Sequence, residues 1–144
     1  MMRRKGRSLA LQLLFAVDLR NEKLDEVKRT FLFDKHVPKD VKDFVERLCN
    51  GVQKNISLID HLITTHCDNW KLDRLSIVDR NILRIAVFEI LYCSDIPDIV
   101  SINEAIELAK KYSGKESGRF VNGILDKIRE EKNHRNQEKS QNSR

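Results

Sequence analysis

This chain of 144 residues has little of what usually punctuates or staples a fold: five glycines, two prolines and 6% aromatics. With 40% hydrophobic and 34% charged residues, it has the composition of a soluble globular domain, long enough to bury a core without cross-links. Cys49, Cys67 and Cys93 are odd in number and have no paired spacing, which argues against a disulfide framework and fits a reducing cytoplasm. No apolar run reaches the length of a membrane span. The first twenty residues begin basic and turn apolar in the manner of an export leader. Gln12 and Asp18 interrupt the apolar stretch, however, and no small-residue cleavage site follows, so the segment reads as a first amphipathic helix.

Catalytic and ligating patterns are missing too. Gly114-Lys115 matches only the end of a phosphate-binding loop: the glycine required five residues earlier is Ala109, and no strand precedes it. His61 and His66 are five apart and do not share a helical face, and Cys67 beside His66 has no second paired ligand. No nucleophile–base constellation emerges, so the sequence reads as a non-enzyme with no metal and no cofactor.

What is present is helical periodicity, with no sustained strand-like alternation. Ala10, Leu13, Leu14 and Val17 form one face of a first helix, and Leu11, Phe15 and Leu19 widen it, as for a helix packed on more than one side. Leu24, Val27 and Phe31 give a short second helix. Pro38 suits the first turn of a third, carrying Val41, Phe44, Val45 and Leu48, which continues through Val52, Ile56, Ile59 and Ile63 as one helix or as two bent near Gly51 or Ser57. A second half begins near Trp70. Ser76 caps a helix that is apolar around most of its girth and therefore central, and Asp95-Ile96-Pro97 ends it. Ser101-Ile102-Asn103-Glu104 reads as another capping box, and Ser113-Gly114 stops the helix it opens. Val121, Leu125 and Ile128, flanked by Phe120 and Ile124, define the last helix. The fold class is all-α, about seven helices in two small bundles within a single domain over 1–130, followed by a polar, disordered tail over 131–144 that lacks an apolar anchor.

Charge is unevenly placed. Of the net +5, four charges lie in the first seven residues as Arg3, Arg4, Lys5 and Arg7, which leaves residues 8–144 at +1. Either this is a solvated terminus, or it serves a polyanionic partner. Cations at the positive end of a helix are electrostatically disfavoured, yet with the free N–H groups they form a ready anion site. A second candidate surface combines Lys115, Glu116, Ser117, Arg119, Phe120 and Asn122, where an aromatic beside an arginine has the chemistry to stack a base. Phe120 equally fits a helical core face. Gly123, costly inside a helix, suggests close approach of a backbone or a ligand. Arg84 either emerges at such a surface or pairs internally with a carboxylate, and Asp79 and Arg80 lie in a first turn, open to solvent or to a protein partner.

The runs Asn103-Glu104-Ala105-Ile106-Glu107-Leu108-Ala109-Lys110 and Phe120-Val121-Asn122-Gly123-Ile124-Leu125-Asp126-Lys127 carry a family resemblance. So do Ile82-Leu83-Arg84-Ile85-Ala86-Val87-Phe88-Glu89-Ile90 with Asp95-Ile96-Pro97, Trp70 with Leu72 and Arg74, Gly51-Val52, and Arg7 through Phe15. Together they resemble the NusB family from about Arg4 to Ile128. The resemblance implies two packed three-helix bundles, no catalysis, and a cytoplasmic role in transcription antitermination. It implies binding of the single-stranded boxA element of nascent ribosomal RNA jointly with ribosomal protein S10 (NusE), and assembly with NusA, NusG and RNA polymerase. By matching position, RNA would meet Arg3, Arg4, Lys5, Arg7, Arg84, Glu116, Arg119, Phe120 and Asn122, and S10 would meet Asp79 and Arg80. Gly6 interrupts the basic arm and loosens the assignment of its arginines. Competing readings are a NusB-like accessory module of a ribosomal RNA methyltransferase system and a helical adaptor that binds S10 without RNA. Monomer and dimer both remain open.

Overall fold

The structure, a computed structural model, describes residues 2–33, 36–67 and 75–142. Trp70, Leu72 and Arg74 lie outside the described residues. Within them the chain forms seven helices and no strand: α1 (Met2–Arg20), α2 (Leu24–Phe33), α3 (Lys39–Lys54), α4 (Ile56–Thr65), α5 (Ile77–Tyr92), α6 (Asp98–Tyr112) and α7 (Lys115–Asn142). No described helix is long and apolar enough to cross a membrane.

Local chemistry explains several of the boundaries. Ser76 accepts a hydrogen bond from the Asp79 backbone N–H at 3.0 Å and opens α5 as its N-cap. Gly114, at φ +114°, supplies the left-handed residue after α6. The single-or-double third helix resolves into two, and the break is at Asn55 rather than Gly51 or Ser57. The Asn55 side chain donates to the Gly51 carbonyl at 2.9 Å, satisfying an acceptor at the end of α3. Gly51 has another purpose: a Cβ there would lie 2.1 Å from the ring of Phe88, so α3 and α5 meet only because the side chain is missing. Gly6, read as a break in the basic arm, likewise sits inside α1, where a Cβ would come within 2.7 Å of Phe44.

Helix α5 is the axis of the molecule. All ten residues from Asn81 to Ile90 are buried, and α1, α3, α4, α6 and α7 all pack against it. Helices α1–α4 gather on one side; α6 and α7 pack together on the other. Two of its ten buried residues are oppositely charged, and each is met by a flanking helix. Glu89, 1% exposed, receives both Nε and Nη2 of Arg7 at 2.9 and 2.7 Å and the Ser101 hydroxyl at 2.8 Å. Arg84, 7% exposed, donates twice to Asp60 of α4, at 2.8 and 2.9 Å, and once to Asp18 of α1, at 2.8 Å. Burial alone would lower the Arg84 pKa, but the two carboxylates outweigh it and raise it.

Three sequence expectations change here. Ser101 is not a cap: α6 begins at Asp98 behind Pro97, and Ser101 is buried inside it as a partner of Glu89. Residues 131–142, expected as a disordered tail, are helical here and continue α7. Their anchors are polar, which is why an apolar pattern misses them. Lys132 donates to the Ile90 carbonyl at 2.8 Å and reaches Asp98 at 3.1 Å, and Glu131 lies 2.7 Å from His66. Leu19, assigned to a face packed on a second side, is 60% exposed.

Arg7→Met strands the Glu89 carboxylate and is expected to destabilise the protein by about 3–5 kcal/mol. Arg7→Met combined with Glu89→Leu removes both charges and should recover most of that loss; urea unfolding of the two variants checks the difference. Gly51→Ala drives a methyl into Phe88 and is expected to cost about 1–3 kcal/mol, read as a lowered melting temperature.

Candidate nucleic-acid interface

The basic arm is the start of α1 rather than a loose terminus. Its first turn contains no acid, so Arg3, Arg4 and Lys5 surround the unpaired N–H groups at the positive end of the helix dipole. Carboxylates from elsewhere answer two of them. Arg4 makes a two-pronged contact with Glu104 of α6, at 3.1 and 2.9 Å. Arg3 donates to Asp95, in the turn before α6, at 3.0 Å, and Arg47 of α3 grips the same carboxylate with two bonds of 3.0 and 2.6 Å. The Arg3 guanidinium also lies 5.6 Å from the centre of the Phe44 ring. Hydrogen bonding from Arg47 holds the Asp95 carboxyl well below the usual range, and hydrogen bonding from Arg4 lowers that of Glu104. Lys5 is exposed and makes no ion pair with any described residue.

Arg7 and Arg84 do not belong to this surface. Arg7 is 3% exposed and committed to Glu89, and Arg84 is held between Asp60 and Asp18. Both were candidates for RNA contact by matching position in the family resemblance, and residue type alone gave no sign of burial. The alternative of internal pairing, open for Arg84 in the sequence, is the one realised.

The second candidate surface divides along α7. Arg119 and Asn122 line a groove of about 440 Å³ shared with Ile106, Lys110, Lys115 and Gly118. Glu116 and Phe120 line another of about 540 Å³, with Leu75, Ser76, Asp79, Ser113 and Ser117. Phe120 is half-buried: one side packs on the core, the other edges the groove. The core reading of this residue therefore holds in part, and its other side stays open to the groove. A Cβ on Gly123 would meet nothing within 4 Å, so close approach of a backbone does not explain that glycine. On α6, Glu107 lies 3.8 Å from Lys110, which lines the first groove.

Asp79 and Arg80 are half-buried and already engaged, Asp79 as acceptor from the Ser117 hydroxyl and Arg80 with Asp18 at 3.2 Å. Their neighbour Val78 borders a third groove, almost wholly apolar and about 370 Å³, formed with Leu11, Phe15, Ala16, Leu19 and Phe31. Sequence reasoning placed Phe15 and Leu19 on an apolar face but had no means of telling a core contact from an exposed groove. Burial pushes the Cys49 thiol up to about 12, which keeps it protonated.

Known proteins extend this description. A transcription antitermination protein NusB of Chloroherpeton thalassium is 48% identical over 130 residues, covering 86% of this chain and 59% of the relative, so the chain spans less than two thirds of that protein. The NusB protein of Desulfatibacillum aliphaticivorans is 48% identical over 126 residues, covering 88% of each chain. Among solved structures, NusB of T. maritima superposes with a TM-score of 0.81 at 43% identity, covering 90% of this chain and 91% of that one. A complex of antitermination factors NusB and NusE with double-stranded RNA contains a chain matching at TM-score 0.82 and 30% identity, over 90% of this chain and 96% of that one. The NusB family model matches residues 4–130, almost the whole of the packed body, and the protein belongs to the NusB family.

Proposed function

We propose that this protein is a non-catalytic transcription antitermination factor that holds the boxA element of nascent ribosomal RNA together with ribosomal protein S10 (NusE), and through that pair joins NusA, NusG and RNA polymerase. The observation that carries this reading is the cluster of cations at the positive end of α1, with the Arg3 and Arg4 side chains 41% and 71% exposed. The similarity to a NusB–NusE–RNA complex supports it, as does the antitermination role named for the relatives.

In this reading Arg3, Arg4 and Lys5 take backbone phosphates. Arg119 and Asn122 extend the track along the groove between α6 and α7. On the other side of α7, Phe120 stacks an unpaired base at the groove edge, and Glu116 accepts from a base amino group or a 2′-hydroxyl. S10 docks where Asp79 and Arg80 adjoin the apolar groove of Phe15, Leu19 and Val78, an exposed apolar surface continuous with those two residues. Arg7 and Arg84 act from below, by fixing the helices that carry these groups.

Three phosphates neutralised on a single strand predict that the RNA association constant falls with salt at a log–log slope of about −2. Arg3→Ala/Arg4→Ala is expected to weaken binding and bring that slope below about −1 in magnitude. An unchanged slope in a filter-binding titration removes the arm from the interface. Phe120→Ala is expected to weaken RNA binding about tenfold, corresponding to about 1.4 kcal/mol, within the lower half of the range for base stacking. A large fall in melting temperature with RNA affinity retained would instead make Phe120 a core residue alone.

A further inference from the structure

Two of the three arm cations that the RNA reading needs, Arg3 and Arg4, are already paired in the free protein. Arg4 is held by Glu104 through two hydrogen bonds, and Asp95 is shared by Arg3 and Arg47. Among the described residues of the arm, Lys5 alone is both exposed and without an ion-pair partner. A carboxylate gripped by a guanidinium fork occupies the same donors, in the same plane, as a phosphate does.

These pairs differ from those around α5 in one decisive respect. The side chains of Arg3, Arg4 and Arg47 are 41%, 71% and 40% exposed, so another oxyanion can reach each of them without unfolding anything. The Arg7–Glu89 pair, at 4% and 1%, cannot be exchanged in that way. Exposed ion pairs are also weak and sensitive to salt, so their exchange is cheap. Arg47 enters the surface by the same geometry. It sits on α3, away from the arm in sequence, yet shares an acceptor with Arg3.

Building on the RNA reading above, we propose that Asp95 and Glu104 are placeholders for transcript phosphates. They keep the guanidinium groups of Arg3, Arg4 and Arg47 oriented in the free protein, and an RNA backbone displaces them. Arg47 is thereby a phosphate-contacting residue contributed by α3. The placeholders also act as a threshold. An isolated anion gains little by displacing one of them, whereas a polyanion that takes several arginines at once exchanges the whole set. Exchange also moderates the salt response, because each displaced carboxylate regains counterions while the phosphates release theirs.

The test uses the full chain and a boxA-type single-stranded RNA, titrated by fluorescence anisotropy over a range of salt, with and without S10. The variants are Glu104→Gln, Asp95→Asn and the pair together. Glu26→Gln, an exposed carboxylate on α2 that pairs with none of these arginines, controls for net charge. The double variant is expected to bind about two- to fivefold tighter than the parent, as the loss of weak exposed competitors allows, with a steeper salt slope; Glu26→Gln leaves both nearly unchanged. Adding Arg47→Ala to Asp95→Asn should then weaken binding relative to Asp95→Asn alone. Should the double variant prove unstable, Glu104→Gln carries the test by itself, since its partner is largely solvent-exposed. Equal or weaker binding by the carboxylate variants, with the parent binding normally, overturns the placeholder role and leaves the RNA reading standing. A parent that ignores the RNA at low salt with S10 present overturns both.

Discussion

A helix buried around its whole circumference has no room for an unpaired charge, and α5 carries two. Leaving either Glu89 or Arg84 alone in the interior would cost several kcal/mol, so each has to be met by an opposite charge brought in on another helix. That requirement fixes the arrangement more narrowly than apolar packing does. Hydrophobic surface tolerates sliding, whereas a two-pronged guanidinium–carboxylate contact accepts one register. Arg7 thereby sets the height of α1 along α5, Asp18 fixes the C-terminal part of α1, Asp60 fixes the middle of α4, and Ser101 ties in α6.

The functional surfaces inherit their positions from this frame. Arg7 lies one turn beyond the exposed arginines of α1, and Gly6 lets Phe44 approach closely enough to sit beneath the guanidinium groups of both Arg3 and Arg7. At the other end of the site, α7 acts as a ridge with different chemistry on its two flanks: Arg119 and Asn122 on one, Glu116 and Phe120 on the other. The second flank also holds Asp79, hydrogen-bonded to Ser117, so the surfaces assigned to RNA and to S10 meet within a single groove.

Much of the architecture was legible in the sequence because it rests on local rules. The periodic apolar positions, the Ser76 cap, the stop at Ser113-Gly114 and the girth of α5 all follow from short-range patterns. What escaped was set at long range. Ser101 has the residue type and spacing of a cap, but Pro97 starts the helix earlier and Glu89 claims the hydroxyl. The extension of α7 has no apolar stripe, and only the positions of Asp98 and of the Ile90 carbonyl show how Lys132, at its start, is held to the body. Arg3 and Arg7 look alike in a sequence four residues apart. One is surface and the other core, and nothing short of the partner eighty-two residues away distinguishes them.

The helical state of the arm has a thermodynamic corollary. A flexible basic tail gives up about 1–2 kcal/mol of backbone entropy for each residue that becomes ordered on meeting its ligand. Here Met2 to Arg7 are already coiled into α1, and Arg7 bolts that first stretch to the interior. Immobilisation has been completed during folding, so contact with a transcript leaves mainly side-chain rotamers to be selected. The grip is ready-made.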